Sequence, residues 1–169
     1  MMKPHKTMLL HLFEAGVAAC KPEVCLPPYL PTLKNADKIC VIGAGKAAAH
    51  MAAVVNAAYP EQCYGTIVTR HGHAVGAETG AIKVFEASHP VPDQSSMTAA
   101  KLILAEAQHV PTDVPTLALI SGGGSALMCL PAPGLALPDK MAVHRFLLNS
   151  GASIKEMNIH PIFSQTIMP

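Results

Sequence analysis

Two glycine-rich turns carry the residue types best suited to holding an anion. Gly43-Ala44-Gly45-Lys46 follows the apolar run Ile39-Cys40-Val41-Ile42, and Ser121-Gly122-Gly123-Gly124-Ser125 follows Thr116-Leu117-Ala118-Leu119-Ile120. Glycine lets backbone approach a phosphate closely, and amide N–H groups at the start of a helix favour negative charge. Lys46 adds a full positive charge to the first turn. Consecutive glycines cost roughly 0.5–1 kcal/mol each against alanine in regular structure, a cost that a phosphate or carboxylate cradle explains better than a plain turn. The first turn lacks the third glycine of a dinucleotide fingerprint, Ala48 standing there, and it lacks P-loop spacing. A tight strand-to-helix turn with a solvated lysine is its plainer reading. The second turn does not fit the Gly-x-Ser-x-Gly nucleophile elbow, which disfavours a serine hydrolase.

Ser88-His89-Pro90-Val91-Pro92-Asp93 is a third candidate. Its two prolines stiffen the backbone and hold His89 and Asp93 in a fixed relation, suited to contacting a substrate hydroxyl or carboxylate. The bland alternative makes Asp93 a helix N-cap, a position that aspartate favours. His71-Gly72-His73 lacks a third ligand or nearby carboxylate, so loop or packing roles outweigh a metal there.

These segments need elements to position them. Apolar spacing predicts helices over His5–Cys20, from Ala47 through Ala58, over Gln94–Gln108 with Met97, Leu102, Ile103 and Ala105 available for packing, and over Asp139–Ser150. Pro22, Pro27, Pro28 and Pro31 mark residues 22–38 as a loop. Strands are expected at Ile39–Ile42, Gly65–Arg70, Ile82–Glu86 and Thr116–Ile120. Gly151 suits a C′ position, and Ser153-Ile154-Lys155-Glu156 has capping-box spacing that predicts a further helix. Alternation of helices with largely apolar strands predicts an α/β fold, a Rossmann-like three-layer sandwich around a mainly parallel sheet.

Composition narrows the function classes. Of 169 residues, 50% are apolar and 14% charged, with a net charge of +1 and no tryptophan. That balance gives no electrostatic case for nucleic acid or an anionic membrane, and the N-terminus is too interrupted by charge for a signal peptide or membrane span. Cys20, Cys25, Cys40, Cys63 and Cys129 are scattered without metal spacing and read as reduced thiols, making a cytoplasmic protein the expectation.

The order of Val-Ile-Gly-Ala-Gly-Lys-Ala (41–47), Gly-Thr-Ile-Val-Thr (65–69), Ser-His-Pro-Val-Pro-Asp (88–93), Ile-Ser-Gly-Gly-Gly-Ser-Ala-Leu (120–127) and Leu-Leu-Asn-Ser-Gly-Ala (147–152) resembles the glycerate 2-kinase family, often labelled hydroxypyruvate reductase. The resemblance covers nearly all of residues 5–158. It implies a two-domain enzyme that transfers phosphate from ATP, with Mg²⁺, to the 2-hydroxyl of glycerate in an interdomain cleft. By position it implies Lys46 at the transferred phosphoryl group. Gly43, Gly45, Ser121, Gly122, Gly123, Gly124 and Ser125 would hold the nucleotide, and His89 and Asp93 the substrate. An NAD(P)-linked hydroxypyruvate reductase and a non-catalytic nucleotide- or sugar-phosphate-binding module stand as alternatives.

The pattern departs from the family after Asn158, where a basic and then Gly-rich stretch is expected and Ile159–Pro169 stands instead. Residues 1–158 are accordingly expected to be the N-terminal part of the kinase α/β domain, incomplete. Residues 159–169 then form a divergent tail with the C-terminal domain absent, as after a frameshift or early stop. Such a chain is expected to have negligible kinase activity alone and to expose a sheet edge.

Overall fold

The computed structural model describes residues 4–33, 35–151 and 153. Four strands, β1 (Ile39–Ala44), β2 (Cys63–Arg70), β3 (Ile82–Ala87) and β4 (Thr116–Ile120), form one sheet in the order β3-β2-β1-β4. All three pairings are parallel. The helices are α1 (Pro4–Ala19), α2 (Pro22–Cys25), α3 (Ala48–Ala58), α4 (Gln94–His109), α5 (Gly124–Leu127) and α6 (Leu137–Ser150). The α/β expectation holds, with helices on both faces of the sheet.

Burial explains why the strands read as apolar throughout. Ile39, Cys40, Val41 and Ala44 of β1, the strand flanked on both sides, are fully buried. Ile39, Val41, Ile67, Ile82 and Leu119 pack on one face with Ala48, Ala49, Ala52 and Val55 of α3. Ala44, Val68 and Ala87 point the other way, against Ala99 and Ile103 of α4 and Leu127 of α5. Residues of alternating parity in one strand thus enter two different cores, as the pleat requires. The alanine stripe on α3 lets that helix lie close over the sheet.

Several expectations need correction. The proline-rich stretch 22–38 is not all loop: Pro22 and Pro27 open α2 and a 3-10 turn at Pro27–Tyr29, because proline suits the first turn of a helix. On α4 the packing side is Ser96, Ala99, Ala100 and Ile103, whereas Leu102 is 41% exposed and Ala105 also faces outward. The helical period was right and the chosen face was rotated, since small residues rather than large ones meet the sheet. On α1, Leu9, Leu12 and Phe13 are exposed among the described residues. Ile120 at the end of β4 is 60% exposed, on a strand paired only with β1 among the described residues. The αL turn at Gly151 follows α6 as expected. The helix expected from Ser153 and the tail 159–169 lie outside the described residues.

Candidate functional site

Strand order creates the site. The chain leaves β1 through α3 to β2 on one flank, then returns through α4 to β4 on the other. The carboxyl ends of β1 and β4 therefore border a topological switch point, where open α/β sheets leave a crevice for ligands. Both glycine-rich turns begin there.

Hydrogen bonds join the two turns into one unit. The Ser121 N–H donates to the Ala44 carbonyl at 3.0 Å and the Lys46 N–H to the Gly122 carbonyl at 3.0 Å. The Ala47 N–H donates to Ser121 Oγ at 3.1 Å. Gly45 makes this contact possible. Its φ is +139°, and a Cβ there would stand 2.6 Å from the Ser121 carbonyl oxygen and closer still to Ser121 Oγ.

That bonding corrects the roles expected of the first turn. The amides of Gly45 and Ala48 donate to Val68 and Gly45 carbonyls, both at 3.1 Å. With Lys46 and Ala47 also engaged, this backbone has no amides left there to cradle a phosphate. Gly43 belongs to β1, not to the turn. A Cβ on it would meet Leu119 Cβ at 3.0 Å and the Leu119 carbonyl oxygen closer, so its smallness serves the approach of β4. Ser121 is a tie between the turns. The amides of Gly122, Gly123 and Gly124 make no hydrogen bond among the described residues, and Gly123 has φ +93°. Successive unpaired amides around a left-handed residue form an anion-binding concavity. Ser125 is exposed in the first turn of α5. The unpaired amides therefore lie in the second turn, and the first presents the exposed Lys46 side chain beside them.

Lys46 and His89 border that cradle. From the position a Cβ on Gly123 would take, Lys46 Cε is 3.6 Å away, His89 Cδ2 2.8 Å and His89 Nε2 3.0 Å. Only glycine leaves room for the imidazole there. Thr69 Oγ1 donates to the Lys46 carbonyl at 3.3 Å, and His73 Nδ1 lies 3.3 Å from the same oxygen. The end of β2 and the loop after it thus prop the lysine backbone. Burial pushes the His89 imidazole below its ordinary pKa, and the charges of Lys46, Arg70 and His73 push it the same way. At neutral pH it is a neutral ring that can accept a hydrogen bond. Replacing Lys46 with glutamine should raise the His89 midpoint while burial keeps it below an ordinary histidine. Titrating the imidazole by NMR in both proteins checks this, and an unmoved midpoint would contradict the proximity.

Asp93 is placed differently from His89. It caps α4: Oδ1 accepts from the Ser96 N–H at 2.9 Å and from Ser96 Oγ at 3.1 Å, while Oδ2 lies 3.5 Å from His71 Nε2. The N-cap reading is the observed one, and the fixed loop separates the contacts of His89 from those of Asp93 rather than uniting them. Burial raises the Asp93 pKa, but hydrogen bonds from Ser96 and Ser88 outweigh it and leave the carboxyl below its usual value. A depressed folded value means the stabilisation is present above the unfolded pKa and lost as pH falls through the folded one. Asp93→Ala should cost about 1 kcal/mol at neutral pH, measured by urea unfolding, with the difference from wild type closing in acid.

No group of three His, Cys, Asp or Glu able to hold an ion occurs among the described residues, and His71 and His73 make other contacts. His71 faces Glu86 at 4.0 Å as well as Asp93. Sequence reasoning missed Arg70. Its signal was positional, the last residue of β2, beside the strand that leads into Lys46.

Comparison with known proteins adds to this geometry. The family model described as Domain of unknown function (DUF4147) matches residues 8–160. An Agrobacterium vitis protein carrying the name hydroxypyruvate reductase is 47% identical over 154 residues, covering 90% of this chain and 34% of the relative. The D-glycerate 2-kinase of Thermotoga maritima is 32% identical, covering 90% of this chain and 36% of the relative. The crystal structure of a glycerate kinase from Thermotoga maritima superposes with a TM-score of 0.75 at 32% identity, over 90% of this chain and 37% of that one. The chain spans about a third of the length of the relatives it matches.

Proposed function

The chain belongs to the DUF4147 family, and from that premise we propose that it forms one wall of the site of a kinase that phosphorylates glycerate at the 2-hydroxyl with ATP. The observation that carries the reading is the convergence of Lys46, His89 and the unpaired amides of Gly122–Gly124 at the switch point. The names and fold of the relatives support it.

Phosphoryl transfer asks a protein chiefly to position reactants and neutralise oxygen charge, and this wall offers both. The amides of Gly122, Gly123 and Gly124 receive phosphate oxygens, and the Lys46 ammonium sits beside the group in transfer. Neutral His89 accepts a hydrogen bond from the acceptor hydroxyl and orients it. The hydroxyl oxygen forms a bond to the γ-phosphorus as the bond to the β–γ bridging oxygen breaks. ADP leaves, and the hydroxyl proton passes to His89 or to water. ATP is delivered as its Mg²⁺ complex, with the nucleotide phosphates as ligands to the ion. The free cysteines support a cytoplasmic setting.

Catalysis needs a closed site, so the 169 residues alone should transfer phosphate negligibly. The test therefore uses a polypeptide that also contains the two thirds the relatives have beyond this match. Glycerate-dependent ADP release, with 2-phosphoglycerate identified by ³¹P NMR, is expected. Oxidation of NADH or NADPH by hydroxypyruvate, without phosphate transfer, would overturn the kinase in favour of the reductase.

A further inference from the structure

The carboxyl ends of β1, β2 and β3 gather basic side chains, the charges of Lys46, Arg70 and His73 all acting on the His89 imidazole, and Lys46 and His89 have roles above. Arg70 ends β2 in register with Ala87 of β3, so it stands beside the start of the loop that carries His89. The turn after it is held by bonds from the His73 N–H to the Arg70 carbonyl at 2.9 Å and from the His71 N–H to the Ala87 carbonyl at 3.2 Å. Arg70 is exposed and makes no ion pair or side-chain hydrogen bond among the described residues.

The acidic groups on the same edge are committed elsewhere. Glu86 is paired in register with Thr69, one residue from Arg70, yet its Oε1 accepts from the Gly72 N–H at 3.0 Å and the Ala74 N–H at 3.3 Å, and its other oxygen faces His71. Asp93 is tied to Ser96 and His71. Both carboxylates are thus drawn toward His71 and loop amides, leaving Arg70 and Lys46 as cations open to a ligand. Two cations without carboxylate partners suit a reaction with two anionic groups, a phosphoryl group and the carboxylate of a hydroxy acid.

We propose that Arg70 takes the carboxylate of the 2-hydroxy-acid acceptor, while Lys46 serves the transferred phosphoryl group. This rests on the kinase reading. The planar guanidinium matches a carboxylate bidentately, which a lysine ammonium does not. Arg70 thereby makes the site select an acid over an uncharged polyol and fixes which hydroxyl lies at His89.

The test needs no turnover. Arg70 and Arg145 are the two arginines of the sequence, so their side-chain Nε–H signals in a ¹⁵N-labelled chain are assigned by Arg145→Lys. D-glycerate should move the Arg70 Nε–H signal and the Gly123 amide, while glycerol at equal concentration leaves Arg70 unmoved. Arg70→Lys should weaken glycerate binding about tenfold, the worth of a charge-assisted hydrogen bond, with MgADP shifts at Gly122–Gly124 unchanged. Glycerate that shifts Gly123 but not Arg70 overturns the assignment. So does an Arg70→Lys protein that loses MgADP and glycerate equally, since Arg70 would then be a nucleotide contact. MgADP that leaves Gly122–Gly124 unmoved in the unaltered chain overturns the kinase reading itself, and this assignment with it.

Discussion

Lys46→Ala is expected to lower glycerate-dependent ADP release by about 10²–10³-fold in the polypeptide that includes the relatives' full length, the usual cost of one preorganised group at developing charge. The loss should fall on kcat rather than on the KM for glycerate, because Lys46 Cε lies beside the unpaired Gly123 amide proposed to hold phosphate. Stability should hardly change. Lys46 is exposed, and the bonds that anchor its residue are made by its backbone: the N–H to Gly122, and the carbonyl to Thr69 and His73. Urea unfolding coincident with wild type, together with the collapse in turnover, is the expected pair of results. An enzyme that keeps its turnover would remove the lysine from the chemistry.

Gly45→Ala should damage fold and site together. At φ +139° a methyl group is strained whatever the space, and here it would press on both oxygens of Ser121, the carbonyl at 2.6 Å. Left-handed strain and overpacking each cost about 1–3 kcal/mol, so the sum is on the order of 3 kcal/mol, or roughly 6–12 °C in Tm for a chain of this size. To relieve it, Ser121 must move away, and the bonds from Ala47 to Ser121 Oγ and from Lys46 to Gly122 then stretch. MgADP binding should fall with the melting temperature. Gly16→Ala is the control. Nothing lies within 4 Å of a Cβ there, and in mid-helix alanine should stabilise by about 0.5–1 kcal/mol. A Gly45→Ala protein that melts and binds as wild type would mean that the two turns are not packed as described.

The parallel sheet was legible because buried parallel strands announce themselves as unbroken apolar runs. Ile39–Ile42 and Thr116–Ile120 needed only their glycine turns to be placed. What the sequence could not reveal was which glycine does which work. Gly43, Gly45 and Gly123 look alike in the chain, yet one meets Leu119 of a neighbouring strand, one admits Ser121 and one leaves space for His89. Those differences depend on partners 76 positions away for the first two and 34 for the third, contacts that only the strand order creates. Asp93 shows the reverse. Its capping of α4 is a local matter, readable from Asp93-x-x-Ser96. Arg70 was missed because a lone arginine at a strand end carries no pattern. It becomes informative when Glu86, its near neighbour in the sheet, is found bonded to Gly72 and Ala74 instead.

The second glycine turn is proposed to hold the phosphates while the first delivers the lysine. A crystal structure with a non-hydrolysable MgATP analogue tests it most directly. Phosphate oxygens within hydrogen-bonding distance of the Gly122, Gly123 and Gly124 amides, with Lys46 Nζ on the terminal phosphate, are the expected result. Phosphates seated against the Gly45–Ala48 backbone, or away from both turns, would contradict it.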